Sequence, residues 1–333
     1  MDPVTQGALG AALPQSIARP QQLRVAALVG MLAGMAPDLD ILIRSGHDPL
    51  LFLEFHRQFT HSLIFIPVGA LIVAAFCHAV FAKRWQLPFR FTLLFSLLGY
   101  ATHALLDACT SYGTMLLWPF SQERFSWDTV SVVDPLVSLP LLALVALAAH
   151  RRKPVFAALG VAWVIAYQAA GYAQQQRAET AARELAAQRA HKPTDIVVRP
   201  GFANIVLWRS IYQHDGRFYA DGIYAGRTVR SYPGHSMPVL STARDFPWLD
   251  PESQQAHDIE RFRWFSQGYI AVAEEAPERV LDVRYGMLPN DRGGLWGIEL
   301  DPQAGSTDHA AYVTVRQLPD GTLQRFWGML RGR

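Results

Sequence analysis

Three short clusters of aspartate and histidine interrupt a chain that is otherwise strongly apolar over its first half. Carboxylates and imidazoles are costly to bury beside membrane-spanning segments, so they mark a functional site there. With only two cysteines in the chain, any metal must be held by nitrogen and oxygen ligands. The clusters are Pro37 to Asp40, His56 to Ser62, and His103 to Asp107.

His103 and Asp107 are four residues apart in a segment that predicts a helix. This spacing places both side chains on one face, one turn apart. An imidazole nitrogen and a carboxylate oxygen so placed can reach one metal ion. A simple hydrogen bond between the two side chains is an equally good explanation of this pair alone.

Asp38 and Asp40 follow Pro37, where a short apolar helix must end. If the backbone is extended there, alternation sends both carboxylates in roughly the same direction. One could then bind a metal while the other orients a ligand or accepts a proton. The alternative is a solvated turn, for which this residue pair is also typical.

His56 and His61 would point about 140° apart on one continuous helix. Thr60 can cap the apolar helix that follows it, so a break in the helix near Phe59 is expected. With that break both imidazoles can face one centre. A single loop histidine is ordinarily a surface residue, but two of them beside Arg57 favour a site.

The composition separates the chain into an apolar part and a more charged part. Of its 333 residues 50% are hydrophobic and only 17% are charged, whereas charged residues make up about a quarter of an average soluble protein. The long apolar runs lie before residue 174. A net charge of +2 gives no support for nucleic-acid binding.

Four segments are long and apolar enough to span a membrane, which takes about 20 residues. They are residues 63–82, 91–108, 132–149 and 155–173. Residues 4–13 and 25–36 are shorter and rich in glycine and alanine, which predicts two half-helices packed inside the bundle. These elements form a membrane-embedded metal-binding domain over residues 1–173.

Basic residues in the short loops predict the orientation, because such loops lie in the cytoplasm. Following the chain back and forth then places all three clusters at the opposite, extracytoplasmic face, together with everything after residue 173. The protein is therefore predicted to be a multi-pass protein of the bacterial inner membrane. The basic residues are Arg19, Arg24, Lys83, Arg84, Arg90, Arg151, Arg152 and Lys153.

Beyond the bundle, residues 174–193 predict an exposed linker helix, and residues 194–333 predict a β-rich soluble domain. Alternating, aromatic-rich runs separated by turn residues indicate the strands. The fold class is thus an α-helical transmembrane bundle followed by a β-rich, α+β domain. The predicted strands are 203–212, 217–224, 262–273, 280–285, 295–300, 311–317 and 323–329, with one short helix near 251–258.

Several motifs occur in a fixed order along the first part of the chain. They are Met1 to Gln6, Gly34 to Asp40, His56-Arg57, Thr60 to Ser62, His103 to Asp107, Thr110 to Gly113, Trp118 to Ser121, and Asp134-Pro135. Over about residues 1–140 the chain thereby resembles the YdjM family of membrane-bound metal-dependent hydrolases, some members of which carry histidine where this chain has Gln6. The family is itself similar to zinc-dependent phospholipase C and P1-type nucleases, which implies phosphoester chemistry.

These features lead to one leading hypothesis, a hydrolase that uses one or two divalent metals, zinc first, with manganese or iron as alternatives. Asp38 or Asp134 would act as general base, and Arg57 would pair with a phosphate or carboxylate of the substrate. A site at the membrane–water boundary favours a membrane lipid or lipid-linked phosphoester. The predicted metal ligands are Asp40, His56, His61, His103 and Asp107.

Two other classes of function fit the sequence less well. One is a non-catalytic membrane scaffold, in which the metal fixes the helices and the outer β domain binds a protein partner. Four protein ligands in closed coordination would favour it. The other is an ion or metal transporter, which needs polar residues through the whole membrane depth, whereas here they gather at one end.

Overall fold

Apolar helices build the first half of the chain, and the second half contains antiparallel sheets. The computed structural model describes residues 1–315 and 319–333. The chain divides into two units, each described by itself. The helical unit contains Met1–Leu42, Phe55–Ala173 and Phe202–Ile205, and the β-rich unit contains Ile43–Glu54, Gln174–Gly201 and Val206–Arg333.

Local sequence features explain two of the helix boundaries in the first half of the chain. Asp2 caps α1 by accepting hydrogen bonds from the backbone N–H of Val4 and Thr5, and Pro3 occupies the first helical position. Pro37 ends the α-helical part of α2, and the chain continues as a 3-10 helix. The elements are α1 (Pro3–Ile17), α2 (Leu23–Met35), a 3-10 helix (Ala36–Leu42), α3 (Leu51–Phe55), α4 (Ile66–Val80), α5 (Phe89–Ala108), α6 (Pro135–Arg151) and α7 (Pro154–Gln188).

Within the described part of the chain, four helical stretches are long and apolar enough to cross a membrane, as predicted. One of the four stretches differs from the predicted spans. The predicted span 132–149 begins only at Pro135 and is a 17-residue helix, whereas α2 and its 3-10 extension together reach 20 residues. The four stretches are Leu23–Leu42, Leu63–Val80, Phe89–Ala108 and Pro154–Gln188.

Glycines let α1, α2 and α5 pack with their backbones in close contact. A Cβ atom built on Gly30 would lie 2.2 Å from the carbonyl oxygen of Gly10, and one on Gly99 would lie 2.4 Å from the carbonyl oxygen of Gly30. No larger residue fits at such a crossing. Because these helices carry or contact the site residues, this close approach sets the site's dimensions.

The β-rich unit contains two four-stranded antiparallel sheets among its described residues, each with its strands in sequential order. Trp208, Ile211 and Phe218 are buried in the first sheet. The first sheet contains β1 (Ile196–Pro200), β2 (Leu207–His214), β3 (Arg217–Ala225) and β4 (Val229–Pro238), and the second contains β5 (Ile270–Ala273), β6 (Ala276–Asp282), β7 (Trp296–Glu299) and β8 (Ala311–Thr314).

Two of the predicted strands are wrong in whole or in part. Residues 323–329 form α10 (Thr322–Leu330), because Phe326, Met329 and Leu330 recur at helical spacing and pack against one cluster. The run 262–273 begins inside α9 (Gln254–Phe265), and only its end is a strand. Strands β1 and β4 were not predicted, and the predicted end of β8 at 316–317 lies outside the described residues. A short helix, α8, covers Thr242–Asp245.

The segment Ile43–Glu54 belongs to the β-rich unit, although it precedes most of the helical unit in sequence. Arg261 of α9 joins it there through ion pairs of 2.8 Å to Asp48 and 2.6 Å to Glu54. Phe52 packs edge-to-face on Tyr312 with ring centroids 4.9 Å apart. The linker predicted over residues 174–193 is the second part of α7, which continues without a break to Gln188.

Candidate metal centre

Four side chains of the helical unit converge on one point. Each of Asp38, His61, His103 and Asp107 offers one ligand atom, and these atoms all lie within 4.8 Å of one another. The two imidazole Nε2 atoms are 2.9 Å apart. Asp38 Oδ1 lies 3.5 and 3.4 Å from the Nε2 atoms of His61 and His103, and Asp107 Oδ2 lies 3.3 and 3.5 Å from the same two atoms.

These separations match those of a small tetrahedral metal site. Zinc bonds of 2.0–2.2 Å place neighbouring ligand atoms about 3.4 Å apart in a tetrahedron. Two nitrogens and two carboxylate oxygens are also a donor set that zinc accepts. The four residues could therefore hold a metal ion of this size.

The ring of His103 is fixed so that its lone pair points into the centre. Its Nδ1 lies 2.5 Å from the carbonyl oxygen of Gly34 on α2. A carbonyl only accepts hydrogen bonds, so Nδ1 carries a proton and Nε2 is the ring nitrogen that faces the centre. His103 and Asp107 sit one turn apart on α5, as their spacing predicts.

His61 is oriented in the same way, by a carboxylate. Its Nδ1 lies 3.2 Å from Asp40 Oδ2 and 3.0 Å from the hydroxyl of Thr60, which itself donates to Asp40. Nδ1 is therefore the protonated nitrogen, and Nε2 faces the centre. Such carboxylate–histidine pairs behind a metal fix the ring and raise its basicity.

Asp38 and Asp40 point in different directions, whereas the sequence analysis predicted roughly the same direction for both. The residues after α2 form a 3-10 helix, not an extended strand. With about 120° between successive residues, side chains two apart diverge. Asp38 therefore joins the group of four, whereas Asp40 turns toward the segment from His56 to His61.

Asp107 is fully buried and held from several sides. Gln6 of α1 donates from Nε2 to Asp107 Oδ1 over 2.8 Å, and the amino group of Met1 contacts the same oxygen. Arg57 Nε lies 3.0 Å from Oδ2, which nevertheless accepts no hydrogen bond of good geometry. A buried carboxylate oxygen left in this way is suited to a cation. Gln6 thus orients the Asp107 carboxylate.

Arg57 is a buried residue at the point where the helical backbone is interrupted. Its backbone is left-handed, with φ of 62°, which ends the preceding helix and lets His56 and His61 lie on separate segments. The guanidinium donates to Thr110 Oγ1 over 3.0 Å and lies over the ring of Tyr112 at 4.9 Å. With 4% exposure, Arg57 supports Asp107 and the loop after α5.

His56 and Asp134 lie outside the group of four. His56 Nδ1 is 2.7 Å from Asp40 Oδ1, and its ring packs against Tyr112. Asp134 caps α6 by accepting from the backbone N–H of Leu136, and its other oxygen accepts a 2.8 Å hydrogen bond from Tyr167. A structural role thus accounts for the contacts of Asp134.

The charges around His61 favour a positive charge at the centre. Burial lowers the pKa of His61, but the carboxylates of Asp107, Asp38 and Asp40 outweigh it and raise the pKa to about 10. At His56 burial prevails over Asp40, and the pKa is lowered. A metal cation would replace the proton that the carboxylates otherwise hold on His61.

The role of the Gly34 carbonyl could not be predicted from the sequence, because every residue type has the same backbone acceptor. Its only trace is the spacing of Gly30 and Gly34, which matches close helix packing. The hydroxyls of Thr60 and Thr110 lie in the motifs singled out from the sequence, where their contacts could not be assigned.

A comparison with known protein families matches the apolar half of the chain. The family model described as YdjM inner membrane protein matches residues 1–178. The uncharacterized protein YfhP of Bacillus subtilis (strain 168) is 28% identical over 123 residues, which is 37% of this chain and 36% of that protein. The inner membrane protein YbcI of Escherichia coli (strain K12) is 35% identical over 111 residues, 31% of this chain and 60% of that protein.

The chain therefore spans less than two thirds of the length of these two curated relatives. No solved structure matches it.

Proposed function

We propose that this chain, which belongs to the YdjM inner membrane protein family, is a metal-dependent hydrolase acting at the membrane surface. Its metal would be held by His61, His103 and Asp107, with Asp38 as a fourth, exchangeable partner. Zinc suits the donor set best, and manganese or iron are alternatives.

One contrast within the group of four supports an enzyme. The side chains of His61, His103 and Asp107 are completely buried, and each is held by further hydrogen bonds or ion pairs. The side chain of Asp38 is 22% exposed. Three rigid ligands plus one position that solvent can reach is the arrangement of catalytic zinc sites.

A divalent ion bound there would supply Lewis acidity and lower the pKa of water at the site. Asp38 is placed to accept the proton of the attacking water, because it is the exposed carboxylate of the group. Asp40 and Gly34 keep the proton of each imidazole on Nδ1. Arg57 and Gln6 hold Asp107 in one orientation.

The position of the group along the helices supports an amphiphilic substrate. Asp38 lies near the end of Leu23–Leu42, His61 just before Leu63–Val80, and Asp107 at the end of Phe89–Ala108. Beside Asp38, the apolar side chains of Leu39 and Leu42 are 64% and 76% exposed. A phosphoester carried on a lipid would present its polar bond at this level and leave its chains in the bilayer.

A second function is supported by the presence of four possible metal ligands in the group. If Asp38 binds the metal permanently, four protein ligands close the coordination, as in structural zinc sites. The protein would then be a membrane scaffold, with the β-rich unit binding a protein partner. The two functions differ in what happens when Asp38 loses its charge.

Metal analysis and turnover of the purified protein test this proposal. We expect stoichiometric metal in the wild type and its loss in His103→Ala and Asp107→Ala, because each removes a buried ligand. Asp38→Asn should keep the metal and lose hydrolysis in a screen of phosphoesters and phospholipids. His150→Ala, at an exposed position of α6, is the matched control and should change neither property.

Each other outcome has a definite meaning. Loss of metal from Asp38→Asn together with no turnover by the wild type in the whole screen supports the scaffold. Wild-type protein that binds no divalent metal contradicts both functions.

A further inference from the structure

The helix α10 of the β-rich unit has two different faces. Phe326, Met329 and Leu330 pack inward with Leu207 and Leu288. On the outer face, Leu323 is 61% and Trp327 is 52% exposed. A groove of about 500 Å³ borders this face, lined by Gln324, Trp327, Gly328, Arg331 and Arg333. Two large exposed apolar side chains one turn apart are typical of an interaction surface.

Arginines lie in and next to this helix, and the nearest acid in the sequence, Asp320, comes just before it. The stretch from Gly321 to Arg333 contains Arg325, Arg331 and Arg333 and neither aspartate nor glutamate. The turn between β3 and β4 adds the exposed Arg227, and the start of β4 adds the exposed Arg230, with no acid between residues 226 and 234. An amphipathic helix with tryptophan and arginine is suited to a surface that is both apolar and anionic.

The two segments are neighbours in the β-rich unit. Tyr232 of β4 donates from its hydroxyl to the carbonyl oxygen of Met329 over 3.3 Å. A Cβ atom on Gly332 would lie 2.9 Å from the ring of Tyr224, near the end of β3. We call the surface formed by the outer face of α10 and the β3–β4 turn the basic face.

The β3–β4 turn is bonded to α7 close to the end of its apolar part. Arg177 donates to the carbonyl oxygen of Gly226 over 2.7 Å, and Gln174 donates to that of Ala225 over 2.5 Å. These two residues follow the apolar stretch 155–173, which is one bilayer thickness long. The turn is thus bonded to the part of α7 that belongs to the β-rich unit.

We propose that the basic face binds the headgroups of anionic phospholipids in the membrane that α7 spans. The arginines would pair with lipid phosphates, while Trp327 and Leu323 enter the interfacial layer, where tryptophan is favoured. This binding is independent of the proposed hydrolase activity. It would hold the β-rich unit to an anionic bilayer.

Fluorophore labelling of the full chain in nanodiscs tests the proposal. Cys77→Ala and Cys109→Ala remove the native thiols, and Trp327→Cys carries an environment-sensitive probe. In nanodiscs that contain phosphatidylglycerol, we expect strong quenching by lipids with a nitroxide near the headgroup. Arg227→Gln and Arg331→Gln should each lower the ratio of bound to unbound basic face about fivefold, and 1 M salt should act in the same direction.

Asp215→Cys provides the matched control, because its side chain is 86% exposed in the turn at the other end of β3. That turn lies about 30 Å away along the strand, and a probe there should not be quenched. Quenching at 327 no stronger than at 215, or equal in neutral phosphatidylcholine nanodiscs, would overturn the proposal. So would burial of the probe in detergent that depends on protein concentration, since that indicates a second copy.

Discussion

At the scale of single residues, the candidate centre depends on groups that never face the metal position. The carbonyl oxygen of Gly34 and the carboxylate of Asp40 decide which nitrogen of each imidazole is protonated. Gln6 holds the carboxylate of Asp107 in its orientation by a hydrogen bond. Outer partners of this kind are expected to tune affinity strongly, because a misdirected lone pair contributes little to binding.

Replacing Asp40 with asparagine tests whether these orienting groups matter for metal binding. The change keeps the shape but removes the charge that holds Nδ1 of His61 protonated and oriented. We expect metal affinity to fall by about 10–100-fold while the protein stays folded, measured by competition with a chelator. Glu123→Gln, an exposed acid of the helical unit, is the control. Equal affinities in both variants would contradict the orienting role.

At the scale of elements, glycine packing and one 3-10 turn define the site. Gly10, Gly30 and Gly99 let α1, α2 and α5 approach so closely that Gly34 reaches His103. The 3-10 helix Ala36–Leu42 then separates Asp38 from Asp40. The glycine packing and the 3-10 helix both act through the backbone. A substitution in these elements should therefore disturb the candidate centre even where it is far from the four converging side chains.

Gly30→Ala is the sharpest test of this coupling. In an exposed helix the change would stabilise by about 1 kcal/mol, but here the new Cβ would lie 2.2 Å from the carbonyl oxygen of Gly10. We expect the free energy of unfolding to fall by about 1–3 kcal/mol, with weaker metal binding. Thermal unfolding in detergent and chelator competition measure the two effects.

The control for that experiment is Gly328→Ala in α10, where an added Cβ would meet no atom within 4 Å. It should leave metal binding unchanged, and the free energy of unfolding should stay the same or rise slightly. Stabilisation by Gly30→Ala equal to that of the control would show that the helices can move apart at no cost.

At the scale of the whole molecule, the site residues sit at the ends of apolar helices. Asp38, His61 and Asp107 each lie within five residues of the boundary of a stretch that can cross a membrane. The loop charges predict that this boundary faces away from the cytoplasm. A substrate from the extracytoplasmic side of the bilayer would reach it without crossing the membrane.

Thiol labelling of intact spheroplasts tests the orientation. In a chain without its native cysteines, Asp215→Cys should react with a membrane-impermeant maleimide, since the prediction places the β-rich unit outside. Arg152→Cys, in the basic loop between α6 and α7, should react only after the membrane is permeabilised. The reverse pattern would place the candidate centre at the cytoplasmic face and contradict the predicted access route.

The sequence alone determined the features that depend on neighbouring residues along the chain. Apolar length predicts membrane helices, and helical periodicity puts His103 and Asp107 on one face, because both are local properties. It could not decide between Asp38 and Asp40, because that choice depends on a 3-10 turn. Nor could it show that Asp134 caps a helix and contacts Tyr167.

Packing in three dimensions determines which donors meet. His61, and not His56, reaches His103 because the helix ends at the left-handed Arg57 and α4, which follows His61, packs against α5. Likewise, the apolar positions of α10 recur at helical spacing in the sequence, but their packing against Leu207 and Leu288 depends on the fold. Convergence of distant segments follows from packing in three dimensions, for which a single sequence contains no local signal.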